Sequence, residues 1–228
     1  MKKIIYLLLL FIPLLTFAQI KEVKPLTDNE KTFFKQGKNL FRGYVVAGLN
    51  FTQIDGDKMA GYNHVGANVG GGVFVTYTNK FTNSLEISYT MRGAKSGITH
   101  TQNTGNYSWY QMDYIEIPLM FNYHDFKIAI FSAGFSYTQM IRNNFVTDFQ
   151  SLPTDIYKSN LDIIAGVTFL FKNHWGLNFK YNYSILNSVD NGGKRGTIFS
   201  EPAKNSSQGN GDLSWYHNVL TFRAMYVF

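Results

Sequence analysis

Apolar and polar residues alternate along most of this chain, and the alternation comes in eight stretches. They lie at residues 44–53, 65–77, 84–92, 110–123, 127–141, 161–171, 175–187 and 215–228. A period of two puts successive side chains on opposite faces of an extended strand, so each stretch predicts a β-strand with one apolar and one polar face. In the last stretch Tyr216, Asn218, Leu220, Phe222, Ala224, Tyr226 and Phe228 share one face, and His217, Val219, Thr221, Arg223, Met225 and Val227 the other.

The connections alternate as well. Residues 54–64, 93–109, 142–160 and 188–214 make long segments, whereas 78–83, 124–126 and 172–174 are short. Short turns on one rim and long polar loops on the other predict strands that run up and down in sequence order. Most of the strands have the roughly ten residues that a tilted strand needs to cross a bilayer.

The two faces say which side is outside. The polar face reads Gly48, Asn50, Gly66, Asn68, Gly70, Gly72, Ser84, Ser88, Ser132, Gly134, Ser136, Gly166, Gly176, Asn178, Asn182 and Ser184, small groups with few charges among them. A water-facing exterior would carry Lys and Glu instead. The other face, with Val45, Leu49, Phe51, Val69, Ile87, Ile117, Phe121, Phe135, Ile163, Leu177 and Phe179, suits lipid. Charged residues are 16% of the chain, against about 25% in an ordinary soluble domain. The expected fold is an all-β, eight-stranded antiparallel up-and-down transmembrane β-barrel, inside-out relative to a soluble one. Aromatics near the strand ends, among them Tyr44, Tyr77, Tyr89, Trp109, Tyr110, Tyr123, Phe171, Trp175 and Trp215, fit interfacial girdles.

Six charges fall on the inward face: Glu86, Arg92, Glu116, Asp162, Lys180 and Arg223. Eight strands leave a bore just wide enough for side chains to fill, so these predict a plugged polar core in which three acids neutralise three bases. Counted from the strand ends, Arg92 and Glu116 come at similar heights on neighbouring strands and are expected to pair. Lys180 and Arg223 are also neighbours of similar height, and need Glu86 or Glu116 from across the bore.

Residues 1–18 hold two lysines and then an apolar run, which predicts a secretory signal peptide. Residues 19–42 are polar and do not alternate; Thr27 and Glu30 fit a capping box for a short helix over 28–36 in a periplasmic leader, leaving 43–228 as the barrel. The formal charge is +6, or +4 without Lys2 and Lys3, too small and scattered for a nucleic-acid partner. The chain has no cysteine, which removes thiolate metal sites, thiol catalysis and disulfides.

Candidate chemistry is sparse. No pair among His64, His100, His124, His174 and His217 has a metal-ligand spacing, and His124 and His174 read as turn residues. Asp55-Gly56-Asp57 lacks the downstream glutamate of a calcium loop and reads as a turn. Gly70-Gly71-Gly72 precedes a strand rather than a helix, so it reads as room for lumenal bulk. The Gly192-Gly193-Lys194-Arg195-Gly196 tip reads as a solvated basic loop, with contact to lipopolysaccharide phosphates as the functional alternative. Ser214 and His217 are the candidate nucleophile and base of a lipid A-modifying enzyme, but strand geometry points them to opposite faces. The expectation is therefore no enzyme, cofactor or metal.

A terminal strand with Phe222, Tyr226 and Phe228 on its outer face resembles the C-terminal assembly signal of bacterial outer-membrane barrels. The stretches GLNFTQIDGDKMAGYNHVGANVGGGVF, SLEISYTMRGAKSG and DYIEIPLMFNY resemble the PorT-like porin family of small outer-membrane barrels of Bacteroidota. That resemblance spans nearly all the chain after residue 18. It implies a place in the outer membrane, with the barrel assembly machinery, lipid and lipopolysaccharide as partners and secretion-system or other envelope proteins as further ones.

Overall fold

The computed structural model describes residues 40–57, 61–78, 80–96, 108–124, 129–147, 156–171, 174–189, 195–199 and 214–228. The expected signal peptide, the helix over 28–36 and most of the leader lie outside these residues. Eight strands, β1 (Phe41–Asp55), β2 (His64–Thr76), β3 (Phe81–Lys95), β4 (Ser108–His124), β5 (Ala129–Thr147), β6 (Ser159–Phe171), β7 (Trp175–Ser184) and β8 (Tyr216–Val227), form one closed antiparallel barrel in sequence order. The barrel begins two residues before the boundary expected at 43, because Phe41 and Arg42 already pair with Val75 and Phe74.

The strands are uneven: β4 and β5 have 17 and 19 residues, β7 has 10. β5 runs past the expected end at 141 because its upper part pairs with the start of β4, up to Ser108↔Thr147, through a register shift at Asp113/Tyr114. β7 stops at Ser184 rather than 187, since the chain there turns to bridge Leu186 to Thr197. Pro118 stands inside β4, where proline has no N–H to give. Pairing with β3 passes over it, from Leu85↔Leu119 to Ser88↔Glu116.

Side-chain alternation sorts the residues as the barrel requires. Outward positions such as Leu49, Val69, Ile87, Phe121, Phe135 and Leu177 remain exposed, while Asn50, Asn68, Glu86, Arg92, Glu116 and Asp162 are buried in the lumen. An apolar outside and a polar inside is the arrangement of a barrel solvated by lipid. At the short-turn rim the outer face carries rings: Trp175 packs edge-on against Tyr226 at 4.9 Å, Tyr226 against Phe228 at 5.4 Å, and Phe81 lies 5.3 Å from Tyr123.

Not every rim aromatic is in that girdle. Tyr44, Tyr110 and Trp215, expected at the membrane interface, are buried inside the barrel. The reason is parity: Tyr44 and Tyr110 sit on the inward faces of β1 and β4, Trp215 just before β8 continues the inward side of His217, and the mouths of the bore have to be filled by something large. Gly72 makes the room for Tyr44, because a Cβ there would lie 2.7 Å from the phenol ring. Gly56 is needed on two counts, with φ of 98° and the Ser214 carbonyl where a Cβ would stand.

Closure is made by β1 and β8, which pair from Tyr44↔Val227 to Asp55↔Tyr216. Beyond the last strand residue, Phe228 N–H donates to the Gly43 carbonyl at 3.0 Å and Arg42 Nε to the Phe228 carbonyl oxygen at 3.2 Å. Deleting Phe228 removes both bonds and the ring against Tyr226. The expected outcome is a lower outer-membrane yield and more periplasmic degradation, read by fractionation and by the heat-modifiable band on a gel; an undiminished band would refute it.

Candidate functional site

The lumen holds the chemistry of this protein, and it is layered. Nearest the short turns lies an apolar cluster of Tyr44, Val46, Phe74, Ile130, Met225 and Val227 with Leu170 against it. Nearest the long loops lies a second, of Ile54, Ala94, Tyr110, Met112, Tyr114, Val189 and Trp215. Here Tyr110 and Trp215 stack at 5.3 Å. The charged residues lie between the two clusters.

Two ion-pair groups fill that middle layer. In the lower one Arg223 presents both terminal nitrogens to the two carboxylate oxygens of Glu86. Its remaining donors reach Asn178 Oδ1 at 2.9 Å and Asn68 Oδ1 at 3.1 Å. Tyr44 donates to Glu86 Oε2 at 3.1 Å, tying the charge to the apolar cluster below. In the upper group Glu116 accepts from Lys180 Nζ at 2.8 Å, Asn182 Nδ2 at 2.7 Å and Arg92 at 3.2 Å. Arg92 also faces Asp162 at 2.7 Å, and Ser184 donates to Asp162 at 2.9 Å.

The structure thus brings the six inward charges together as three acids and three bases. It places them differently from the height estimate. Arg92 stands opposite Met112, and Glu116 opposite Ser88, four residues away along the paired strands. The pair closes because both side chains run along the bore towards each other. Arg223 stands opposite Asn178 and Lys180 opposite Thr221, so these two cations are offset and each takes its own carboxylate. In a medium of low dielectric such a charge is tolerated only with a partner at hand.

Sequence reasoning missed the upper seal. Tyr114 shares the parity of Glu116 and so faces inward; its ring lies 5.4 Å from the Arg92 guanidinium, and its hydroxyl is 3.1 Å from His217 Nε2. His64 and His124, expected in a loop and a turn, belong to strand ends and are buried, His64 bonding Thr52 at 3.0 Å and His124 bonding Thr82 at 2.8 Å. His174 does lie in a turn, with Nδ1 2.8 Å from the Val227 carbonyl oxygen. Among the described residues no group of three His, Cys, Asp or Glu could hold a metal. Arg195, expected at an exposed basic tip, donates to the Asn187 carbonyl at 2.7 Å and lies 4.4 Å over the Tyr157 ring. Residues 192–194 of that tip lie outside the described residues.

Residues 29–190 of this lipid-facing closed barrel match the outer membrane protein beta-barrel domain. The chain belongs to that family. Members of the outer membrane protein beta-barrel domain family sit in the bacterial outer membrane, and this barrel sits there too. Among solved structures it is similar to Ail of Yersinia pestis (11% identity, TM-score 0.45, covering 82% of this chain and 98% of that one). It is also similar to neisserial surface protein A (9%, 0.47, covering 81% and 96%) and to OprG of Pseudomonas aeruginosa (10%, 0.41, covering 82% and 94%). No curated protein sequence matches the chain.

The charge layer makes a stability prediction. Glu116→Ala strips Arg92 and Lys180 of a shared carboxylate, and losing one partner of a buried pair costs roughly 3–5 kcal/mol. Urea unfolding of the refolded barrel in detergent should show that loss, with Asn191→Ala within about 0.5 kcal/mol of wild type. Equal midpoints for the two variants would show that the layer does not hold the fold.

Proposed function

We propose that this protein is a structural or interaction component of the outer membrane whose partners meet its rims and loops, with a lumen that is filled rather than conducting. The observation that carries this reading is the neutralised charge layer between two apolar clusters. A pore that passes solutes keeps water along its axis; here the bore is spanned by Glu86–Arg223 and by Asp162–Arg92–Glu116–Lys180. In this reading the protein is not an enzyme. His217, the one candidate base, is buried in the lumen level with Ile54 of the upper cluster and against Tyr114, where a lipid substrate does not reach it.

Within the family the PorT-like stretches favour a second role as an accessory barrel of protein secretion. Export by the signal peptide and folding by the barrel assembly machinery, read from Phe222, Tyr226 and Phe228, belong to the same reading. Those three rings all lie on the lipid side of β8, where an assembly factor has access before the barrel closes. Both ends of the barrel domain lie at the short-turn rim, which we assign to the periplasm, with the long loops outside the cell. Secretion-system proteins recovered after crosslinking in native membranes would favour the accessory role, and other envelope partners the structural one.

Two measurements test this. Single-channel recording of the purified barrel in a planar bilayer should show no steady conductance; porin-like steps in the wild type would overturn the filled lumen. In whole cells, a cysteine at position 191 should react with an impermeant thiol reagent and one at position 173 should not. The reverse labelling would invert the topology.

A further inference from the structure

On the outer face the register sets the upper ends of β1, β8 and β7 in rows. Asp55 stands beside Tyr216, Gln53 beside Asn218 and Tyr183, and Phe51 beside Leu220 and Tyr181. All of these share the outward parity of Leu49, Phe222 and Leu177. Tyr62, in the connection after β1, reaches into the same patch and donates to Asn218 Oδ1 at 2.6 Å. Gln53 Nε2 donates to Asp55 Oδ1 at 2.8 Å, and Tyr183 stands in register with Asn218. The rings of Tyr183 and Tyr216 lie 11° from parallel with centroids 6.4 Å apart.

Below this patch the lipid face is not smooth. Ala165, Val167, Phe179, Tyr181, Leu220 and Phe222 wall a shallow groove of about 330 Å³. Its origin is a size step: Ala165 stands in register with Tyr181, so a methyl group lies beside a full ring. The groove and the patch share Tyr181. Together they run from the apolar band of the barrel to the rim of the long loops.

A lipid head seated there meets four phenols, two amides and one carboxylate. Aromatic faces cover the C–H face of a sugar ring, while amide, phenol and carboxylate groups exchange hydrogen bonds with its hydroxyls. A phosphate would instead bring its charge against Asp55, the one charged side chain of the set, where like charges repel. An acyl chain hanging from the same head falls along the groove and buries apolar surface.

We propose that the outer face of β7, β8 and β1 at the long-loop rim docks a glycolipid with an uncharged sugar head, held by Tyr62, Tyr183, Tyr216, Asp55 and Asn218 with an acyl chain against Ala165. This rests on the membrane placement argued above, but on neither the orientation of the barrel nor the state of its lumen. The test is native mass spectrometry of the full barrel released from bilayer nanodiscs that contain monoglucosyl diacylglycerol, diacylglycerol or phosphatidylglycerol. The glucosyl lipid should be retained well above the other two. Tyr183→Leu combined with Tyr216→Leu should lower its retention on the order of tenfold, the loss expected of two ring contacts. Ala165→Phe, which fills the groove, should lower it as well, and Tyr137→Leu on β5 should leave it unchanged. Heat modifiability on a gel confirms that each variant is folded. Equal retention of phosphatidylglycerol, or undiminished binding by the folded tyrosine variant, would overturn the site. Displacement by free glucose as effective as by the glucosyl lipid would overturn the lipid assignment in favour of a soluble glycan.

Discussion

Inside a hydrocarbon slab no water is present to take a backbone hydrogen bond, so every strand must have a neighbour on both sides. The pairing of β1 with β8 meets that demand, and nearly everything else follows from it. The ladder between them joins residues more than 160 positions apart, from Tyr44↔Val227 to Asp55↔Tyr216. An open sheet of the same strands would leave two unsatisfied edges in lipid, each group costing several kcal/mol. Arg42 and Phe228 extend the seam past its last paired residues.

Closing eight strands also fixes the width of the bore, and the inward residues must then pack as a core rather than line a channel. The core reverses the usual order of a soluble protein. Charge lies in the middle and apolar groups at the two ends, so that the ion pairs are shielded from water at both mouths. Glu116 shows what this demands: its two oxygens take a lysine, an arginine and an asparagine, leaving little of its charge unanswered. Such a layer is costly if broken and gives little net stability when intact, so its consequence is specificity: one register of strands puts three acids beside three bases.

The outside of the barrel has a different economy. Rings gather at the short-turn rim, where Trp175, Tyr226 and Phe228 touch. At the long-loop rim of β7, β8 and β1 the rings are tyrosines mixed with amides and Asp55, linked by hydrogen bonds from Tyr62 to Asn218 of β8 and from Gln53 to Asp55 within β1. The two rims therefore meet their surroundings with different chemistry although the same alternation produced both. In the proposed reading of a filled lumen, the surface left for recognition is this outer rim together with the loops above it.

Much of the fold was legible in the sequence because lipid makes the alternation of side chains nearly obligatory. Strand number, the inward identity of Glu86, Arg92, Glu116, Asp162, Lys180 and Arg223, and the sequence of short and long connections all follow from a period of two and the spacing of its breaks. Period two assigns a face, but it does not assign a height or a partner. Only closure decided that Glu86 on β3 meets Arg223 on β8, 137 residues away, and that Arg92 reaches along the bore to a glutamate four residues out of register. Tyr44, Tyr110 and Trp215 are a different case: nearness to a strand end suggested the membrane interface although parity already turned them inward, and only the closed sheet set what they pack against in the mouths, such as the bare backbone of Gly72. Local pattern records which solvent a residue meets, lipid or lumen; which side chains then touch is a property of the closed sheet, because tilt and register bring together strands that lie far apart along the chain.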